Sequence, residues 1–429
     1  MKNHGQKFKM PELLAPAGNF EKMKTAFAFG ADAVYLGIPD FSLRVRVNDF
    51  TIPEIKRAVE YAHGLKKKVY VTVNIFAHNE HLRKLPAHIA KLKAIGPDGI
   101  FISDPGILEE VKRAWPGVKL ILSTQANCTN SRAARFWQKA GCKRVILARE
   151  LDLKEIREIR ARAPKLELEC FVHGALCMAY SGRCFLSKYY NDRNANLGDC
   201  SQPCRWEYRA ASIEPAGHGA VELREEAHGT YILNSEDLCL IKRLPELIAA
   251  GLDAFKIEGR AKSVYYLACV VGAYRRAIDF ACSAKAPEQV KDELEFLYRE
   301  LETKTFNRGF TEGFMFGAGE GAQNLKNSHN YPAWEFCGQT VKCAKTSDDK
   351  YKVYVKVHNT LKSGERVEII CPGYDIMNMK IGPMFDVKKE KEINEAHGGA
   401  AGTMVVIESE KEIPVYSVWR RSIIRTFGL

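Results

Sequence analysis

No run of about 18 consecutive apolar residues occurs in the chain, which excludes a membrane-spanning helix as a reading of any segment. The opening MKNHGQKFKM holds no apolar stretch of the signal-peptide kind, so a cytoplasmic, reducing setting is expected, with no membrane partner. HExxH, GxSxG and an aspartic dyad are also missing, and with them the common signatures of metalloproteases, serine hydrolases and aspartic proteases. There is no low-complexity run. There is no internal repeat beyond an alternation of strand-like and helix-like segments.

What is present is a chain of 429 residues with 46% apolar content, enough to bury a sizeable core and long enough for two or three domains. Lys and Arg number 64 against 52 Asp and Glu, a formal charge of +12. That balance suits a polyanionic partner, of which nucleic acid is the common cytosolic form, and equally suits a Lys-rich, soluble enzyme surface. Cysteine is abundant, at 13 residues. In a reducing compartment clustered thiols are ligands or catalysts more often than bridges.

Short apolar or β-branched runs alternate with amphipathic segments, the pattern of a parallel sheet. Eight runs read as strands: ELLAPA from Glu12, AVYLG from Ala33, VYVTVN from Val69, GIFIS from Gly99, LILST from Leu120, RVILA from Arg144, LELECFV from Leu166 and AFKIEG from Ala254. Helical periodicity fills the intervals at 19–29, 52–63, 80–94, 107–114, 131–139 and 153–163. Eight strands in βα units predict an α/β fold, a TIM-like (β/α)8 barrel over 11–330 after a short tail at 1–10. Working residues in such a barrel follow the strands. At those places stand Asn74, Asp104, Gln125 with Asn127, Arg149 with Glu150, His173, and Glu258 with Arg260. The interval after the seventh strand, about 174–251, is far longer than a βα loop requires and would roof the same face.

Past the Gly-rich, polar stretch GFMFGAGEGAQNLKNSHN the pattern changes. GQTVKCA, KVYVKVH, RVEIICP, TMVVIE and YSVWRRS, with turn signals between them, predict a small C-terminal antiparallel β-barrel domain over 331–429. Its end carries Trp419, Arg420, Arg421 and Arg425, which suits an RNA backbone or, equally, a packed Trp beside solvated arginines.

Five cysteines, Cys170, Cys177, Cys184, Cys200 and Cys204, fall within 35 residues. Zinc usually takes pairs two to four residues apart, whereas Cys177 and Cys184 are seven apart and only Cys200 with Cys204 forms a CxxxC pair. The irregular spacing leans towards an iron–sulfur cluster and leaves zinc open. A single nucleophilic cysteine assisted by His173 also stays open, although it would leave the other thiols unexplained. Cys170 lies inside a predicted strand and reads best as a small buried hydrophobe.

The opening ELLAPAGNFEKMKTAFAFGADAVYLG, the block FVHGALCMAYSGRCFLS with Arg193, Asn196, Gly198 and Cys200, CSQPCRWEY and the later FKIEGR resemble the collagenase-like peptidase family U-32. The resemblance runs from near residue 11 through the C-terminal domain, and is strongest to members of that family that act on tRNA. It implies an oxygen-independent hydroxylation that forms 5-hydroxyuridine at the tRNA wobble position, with a required iron–sulfur cluster of the 4Fe–4S kind and prephenate, a small anionic co-substrate, as hydroxyl source. The electron donor is not legible. Cys177, Cys184, Cys200 and Cys204 are the implied cluster ligands, with Cys239 and Cys170 as alternatives for the fourth. Related members hydroxylate ribosomal RNA or a quinone precursor, and the family name itself offers a peptidase as the rival activity.

For hydroxylation at C5 of uracil, the chain needs a group to position an anionic donor and an acid or base near the ring. Glu258, Arg260 and His173 are the candidate catalytic residues, and Lys256, Gln125, Asn74 and Arg149 the candidate substrate-binding ones. Strand alternation puts Lys256 and Glu258 on one face, inwards if Ile257 packs outwards. Gly174 and Gly182 suit the tight turns that gather the cysteines, and His173 suits support of a ligand behind the metal.

Overall fold

The computed structural model describes residues 9–37, 41–42, 50–177, 179–180, 183–206, 234–283, 285–317, 323–324, 329–330, 332–399 and 402–423. Gly182, Arg425, much of the Gly-rich link and the middle of the cysteine-bearing insertion lie outside them. The chain divides into two compact units, one of residues 1–20, 32–261 and 306–330, the other of residues 21–31, 262–305 and 331–429.

The first unit is a closed barrel. Strands β1 (Glu12–Pro16), β2 (Ala33–Gly37), β3 (Lys68–Val73), β4 (Gly99–Ile102), β5 (Leu120–Leu122), β6 (Arg144–Ile146) and β7 (Glu167–Ala175) pair in parallel in that order. Beyond β8 (Asp237–Cys239), strand β9 (Ala254–Ile257) pairs in parallel with both β7 and β1, which closes the ring at eight strands. All eight expected runs are therefore barrel strands. β8 instead adds antiparallel to the end of β7, with β10 (Phe310–Thr311) beside it.

Local signals fix the helices between the strands. Helix α1 (Phe20–Ala28) follows β1, and α2 (Ile52–Gly64), α3 (Asn79–Ile95), α4 (Pro105–Ala114), α5 (Ser131–Ala140) and α6 (Leu153–Arg162) follow in turn. Asp104 accepts from the Ile107 N–H at 3.0 Å and so caps α4, while Asp152 and Glu155 close a reciprocal capping box at the start of α6. Each satisfies backbone donors that the first helical turn leaves without partners. No helix among the described residues is long and apolar enough to cross a membrane.

Alternation along the strands sorts the barrel's side chains. Leu14, Tyr35, Tyr70, Phe101, Ile121 and Ile146 form one buried cluster with Phe171 packed on it. At the N-terminal ends of the strands the filling is ionic. Arg144, the first residue of β6, reaches Glu12 at 2.7 Å, Glu167 at 2.7 Å and Glu169 at 2.9 Å. Lys68 and the Tyr70 hydroxyl also bind Glu12, at 2.7 and 3.1 Å. This network ties β1, β3, β6 and β7 together at the end of the barrel that carries stability rather than chemistry in such folds.

In the second unit α1 packs with α9 (Val264–Ala281), α10 (Pro287–Lys304) and a C-terminal antiparallel sheet. The sheet's central strands are β11 (Trp334–Lys345), β12 (Tyr351–Val357), β14 (Arg366–Cys371), β19 (Thr403–Ser409) and β20 (Val418–Ser422), which contain the five runs expected from the sequence. β13 (Thr360–Lys362) pairs apart with β18 (Glu395–His397). β15 (Asp375–Lys380), β16 (Met384–Asp386) and β17 (Lys391–Ile393) complete the eight-strand sheet, in the order β15-β14-β20-β11-β12-β19-β16-β17. Trp419 is fully buried in its core and donates to Thr340 Oγ1 at 2.9 Å. Arg420 is fully buried between Glu300 and Glu368, and Arg421 pairs with Glu335 and Glu365. Those three residues are thus structural, and the arginines are paired rather than solvated, because a buried guanidinium persists only with carboxylates around it.

Candidate active site at the barrel mouth

The C-terminal ends of the barrel strands and the insertion after β7 enclose a cavity of ≈ 150 Å³. Its wall includes Asn74 after β3, Gln125 after β5, Arg149 after β6, and Lys256, Glu258 and Arg260 on and after β9. Its roof includes Cys177, Cys184, Cys200 and Cys204. Four cysteines and six polar residues that the sequence spreads from 74 to 260 therefore face one space.

Arg260 reaches that space through a small cradle. It is buried, and its Nη1 donates to Ser42 Oγ at 2.9 Å and lies 3.4 Å from Thr72 Oγ1, while Thr72 donates to Ser42 at 2.9 Å. Gly37 at the end of β2 makes the room: a Cβ there would stand 2.4 Å from Thr72 Oγ1 and 2.7 Å from Arg260 Nη1. Gly174, at φ +108°, plays the same part for Glu258, whose carbonyl oxygen would lie 2.7 Å from a Cβ at 174. Hence β7 and the end of β9 approach closely, and the Glu258 N–H donates to the His173 carbonyl at 2.8 Å.

Lys256 stands in the barrel interior beneath the cavity. Its Nζ is 3.9 Å from the centre of the Phe101 ring, 4.1 Å from that of Tyr35 and 3.8 Å from Glu169 Oε1. Burial pushes its ammonium down to about 8, the Glu169 carboxylate resists, and the Arg260 and Arg144 charges push the same way as burial. A lysine so placed carries a labile proton close to neutral pH. Gln125 contributes a different feature, a buried Oε1 with no hydrogen-bond partner. An acceptor left bare in a cavity wall favours a ligand that brings a donor.

The roof is built from short pieces. Helix α7 (Leu186–Asn191) and the turn Ala195–Leu197 are joined by Asn196, whose Oδ1 accepts from the Cys184 N–H at 3.2 Å. Cys200 Sγ accepts from Ser187 Oγ at 3.7 Å and from the Gln202 N–H at 3.4 Å. Burial pushes the Cys204 thiol up; Arg205 opposes this, and the charges of Cys177, Cys200 and Cys184 raise it further. The four sulfurs therefore share one electrostatic neighbourhood. An all-thiolate set with N–H and O–H donors on one sulfur is the donor chemistry of an iron–sulfur cluster. Among the described residues no three His, Cys, Asp or Glu side chains are grouped around a single-ion position, so what fits is the donor set and the shared cavity rather than a closed ligand sphere.

The other candidates lie elsewhere. Cys170 is buried on β7 between Glu169 and Phe171, and alternation turns it to the opposite face of the strand. Cys239 on β8 is buried opposite His173. His173 is itself buried, with its ring 5.4 Å from that of Phe310, and does not line the cavity. Residues the sequence did not single out are Tyr35, Ser42, Thr72 and Glu169, which hold Arg260 and Lys256. Strand alternation could have pointed to Tyr35 and Thr72, since both project inwards near strand ends. Glu169 carried no such sign, because a glutamate within LELEC reads as an exposed strand position until the barrel closes over it.

A sequence profile of peptidase family U32 matches residues 18–324. The chain is similar to the tRNA hydroxylation protein P of Haemophilus influenzae, with 37% identity over 97% of each chain. It is similar to tRNA hydroxylation protein P1 of Bacillus subtilis, at 39% identity over 88% of this chain and 87% of that one. To tRNA hydroxylation protein P of Escherichia coli the identity is 43%, over 71% of this chain and 74% of the other. With a profile match across most of its length and relatives this similar, the chain belongs to peptidase family U32.

Proposed function

We propose that this protein hydroxylates tRNA, forming 5-hydroxyuridine at the wobble position with prephenate as the source of the hydroxyl group. The observation that carries the reading is the meeting of four cysteines with Arg260, Lys256, Glu258 and Gln125 around one small cavity. Relatives named for tRNA hydroxylation support the substrate. Cys177, Cys184, Cys200 and Cys204 would hold the cluster, which supplies electron transfer at the cavity roof.

The remaining work falls to side chains of the wall. A cavity of ≈ 150 Å³ admits one small molecule or one extruded base and excludes a folded chain, so the polymer must present a single nucleotide. Arg260, fixed by Ser42 and Thr72, orients a carboxylate of the anionic donor, and Lys256 adds a second positive charge below it. Gln125 Oε1 offers an acceptor for an N–H on the base edge. Glu258 exchanges the proton at the reacting carbon, as the carboxylate in the same wall.

The test is nucleoside mass spectrometry of RNA from a strain lacking the gene, with and without the gene restored. Wobble 5-hydroxyuridine should disappear from tRNA and return. If it persists while a ribosomal hydroxynucleoside or a quinone intermediate changes instead, the tRNA assignment fails. Anaerobically purified protein should contain iron and acid-labile sulfide; zinc without iron would remove the cluster. Peptide cleavage that survives serine substitution of the four cysteines would return the site to a peptidase.

A further inference from the structure

The roof has an outer surface that the cavity chemistry does not use. Ten aromatic residues stand out as exposed among the described residues, and five of them, Tyr180, Phe185, Tyr189, Tyr190 and Trp206, fall between 180 and 206. Phe185 is 76% exposed and Tyr189 81%. Exposure on that scale costs favourable burial and ordinarily marks a binding surface. The rings are also ordered. Phe185 and Tyr189 are four residues apart at the start of α7, linked by the bond from the Tyr189 N–H to the Phe185 carbonyl at 2.9 Å, so they share a helix face. Tyr190 is braced between Tyr189 and Trp206, at ring separations of 5.1 and 5.9 Å.

Two further observations indicate what covers these rings. Arg183, Lys188, Arg193 and Arg205 lie in the same stretch against only Asp192 and Asp199, a cationic balance complementary to phosphate. Tyr180 and Arg205 belong to both surfaces, since they also line the cavity. The platform is therefore continuous with the entrance. It is tied to the cysteine roof as well, because Ser187 of α7 donates to Cys200 and accepts from the Ser201 N–H at 3.2 Å.

We infer that the roof's outer face is a stacking platform for the unpaired bases flanking the target nucleotide, so that the protein grips a single-stranded RNA loop rather than a duplex. A duplex keeps its base faces inside the stack and would offer these rings nothing, whereas a loop can lay successive bases on them while Lys and Arg track the backbone. The inference rests on the RNA reading of the cavity below, and assigns to residues 180–206 both halves of recognition.

The test uses the full-length protein purified anaerobically, with a fluorescent single-stranded oligouridylate and an RNA duplex of the same length as probes. The single strand should bind more tightly. Phe185→Ala and Tyr189→Ala should each weaken it roughly 5- to 100-fold, while Tyr189→Phe, which keeps the ring, retains wild-type affinity. Equal binding of duplex and single strand, or alanine variants that bind as wild type does, would overturn the platform. So would sedimentation showing that the double alanine variant abolishes a dimer, since the rings would then belong to a self-contact. Should a variant not fold, photocrosslinking of a 5-iodouridine oligonucleotide to the wild-type protein decides: adducts within 180–206 support the platform and adducts confined elsewhere refute it. Neither readout depends on hydroxylation. A strain that loses 5-hydroxyuridine while the rings prove inert would therefore sink this inference alone, and intact tRNA with inert rings would sink both.

Discussion

Neutralising Glu12 should separate the stabilising end of the barrel from its chemical end. Burial raises the Glu12 carboxyl, but Arg144 and Lys68 more than reverse that and hold it at about 2, against an ordinary value of 4.5. A carboxylate depressed in the folded state contributes stability that is complete above 4.5 and is lost as pH falls through 4.5 towards 2. The depression corresponds to about 3.4 kcal/mol at pH 7 and about 1.4 kcal/mol at pH 3. Glu12→Gln replaces the charge with a permanent neutral amide of the same shape. At roughly 2 °C per kcal/mol for a unit of this size, the variant should melt about 7 °C below wild type at pH 7 and about 3 °C below at pH 3. Scanning calorimetry across that range is the assay. A pH-independent gap would refute the electrostatic account and leave only lost packing. Restoration of 5-hydroxyuridine in the deletion strain at permissive temperature should match wild type, since Glu12 begins β1 and the cavity lies at the strands' other ends.

Four further outcomes follow from particular contacts. Cys204→Ser should abolish iron retention on anaerobic purification while Cys239→Ser and Cys170→Ser keep it, because only the first of the three lines the cavity. Gly37→Ala, whose Cβ would stand 2.7 Å from Arg260 Nη1, should displace the guanidinium and lower turnover by about 100-fold. In steady-state assays the KM for the anionic donor should rise as pH passes about 8, where Lys256 loses its charge, and in Lys256→Met it should be high and flat across the same range. Arg420→Met, which strands Glu300 and Glu368 inside the second unit, should cost about 3 to 5 kcal/mol in unfolding and leave the salt dependence of RNA binding unchanged.

The barrel was legible because its strands announce themselves in one way. Each of the eight is a short apolar run followed by a polar residue, and closure needed only the count. What escaped was short or lacked a stripe. β8 and β10 span three and two residues, too few for any period to show. α9 buries residues on every side, from Val264 to Ile278, so it has no polar face to set a period of 3.6. At the site, residue type and position at strand ends found Arg260, Glu258 and Gln125, because each follows directly on a strand. The support beneath them was hidden in pairings between distant residues. Glu169 and Lys256 are separated by a whole insertion, and nothing local says that one carboxylate will be shared between Arg144 on one side and Lys256 on the other.

That shared carboxylate links the two ends of the barrel. Arg144 takes one oxygen of Glu169 at 2.9 Å, while the other stands 3.8 Å from Lys256 Nζ. A closer Glu169 would hold Lys256 charged to higher pH; a more distant one would let burial drive it neutral. The floor network therefore sets how much of Glu169's charge Lys256 feels, and through it the charge at the bottom of the cavity. Glu12→Gln leaves Glu169 in place and should spare activity. Glu169→Gln keeps the shape but removes the counter-charge, so Lys256 should lose its proton below the wild-type value of about 8 and the rise in KM for the anionic donor should move to lower pH. An unchanged pH midpoint in Glu169→Gln would mean that the aromatic rings and the two arginines, rather than the carboxylate, govern Lys256.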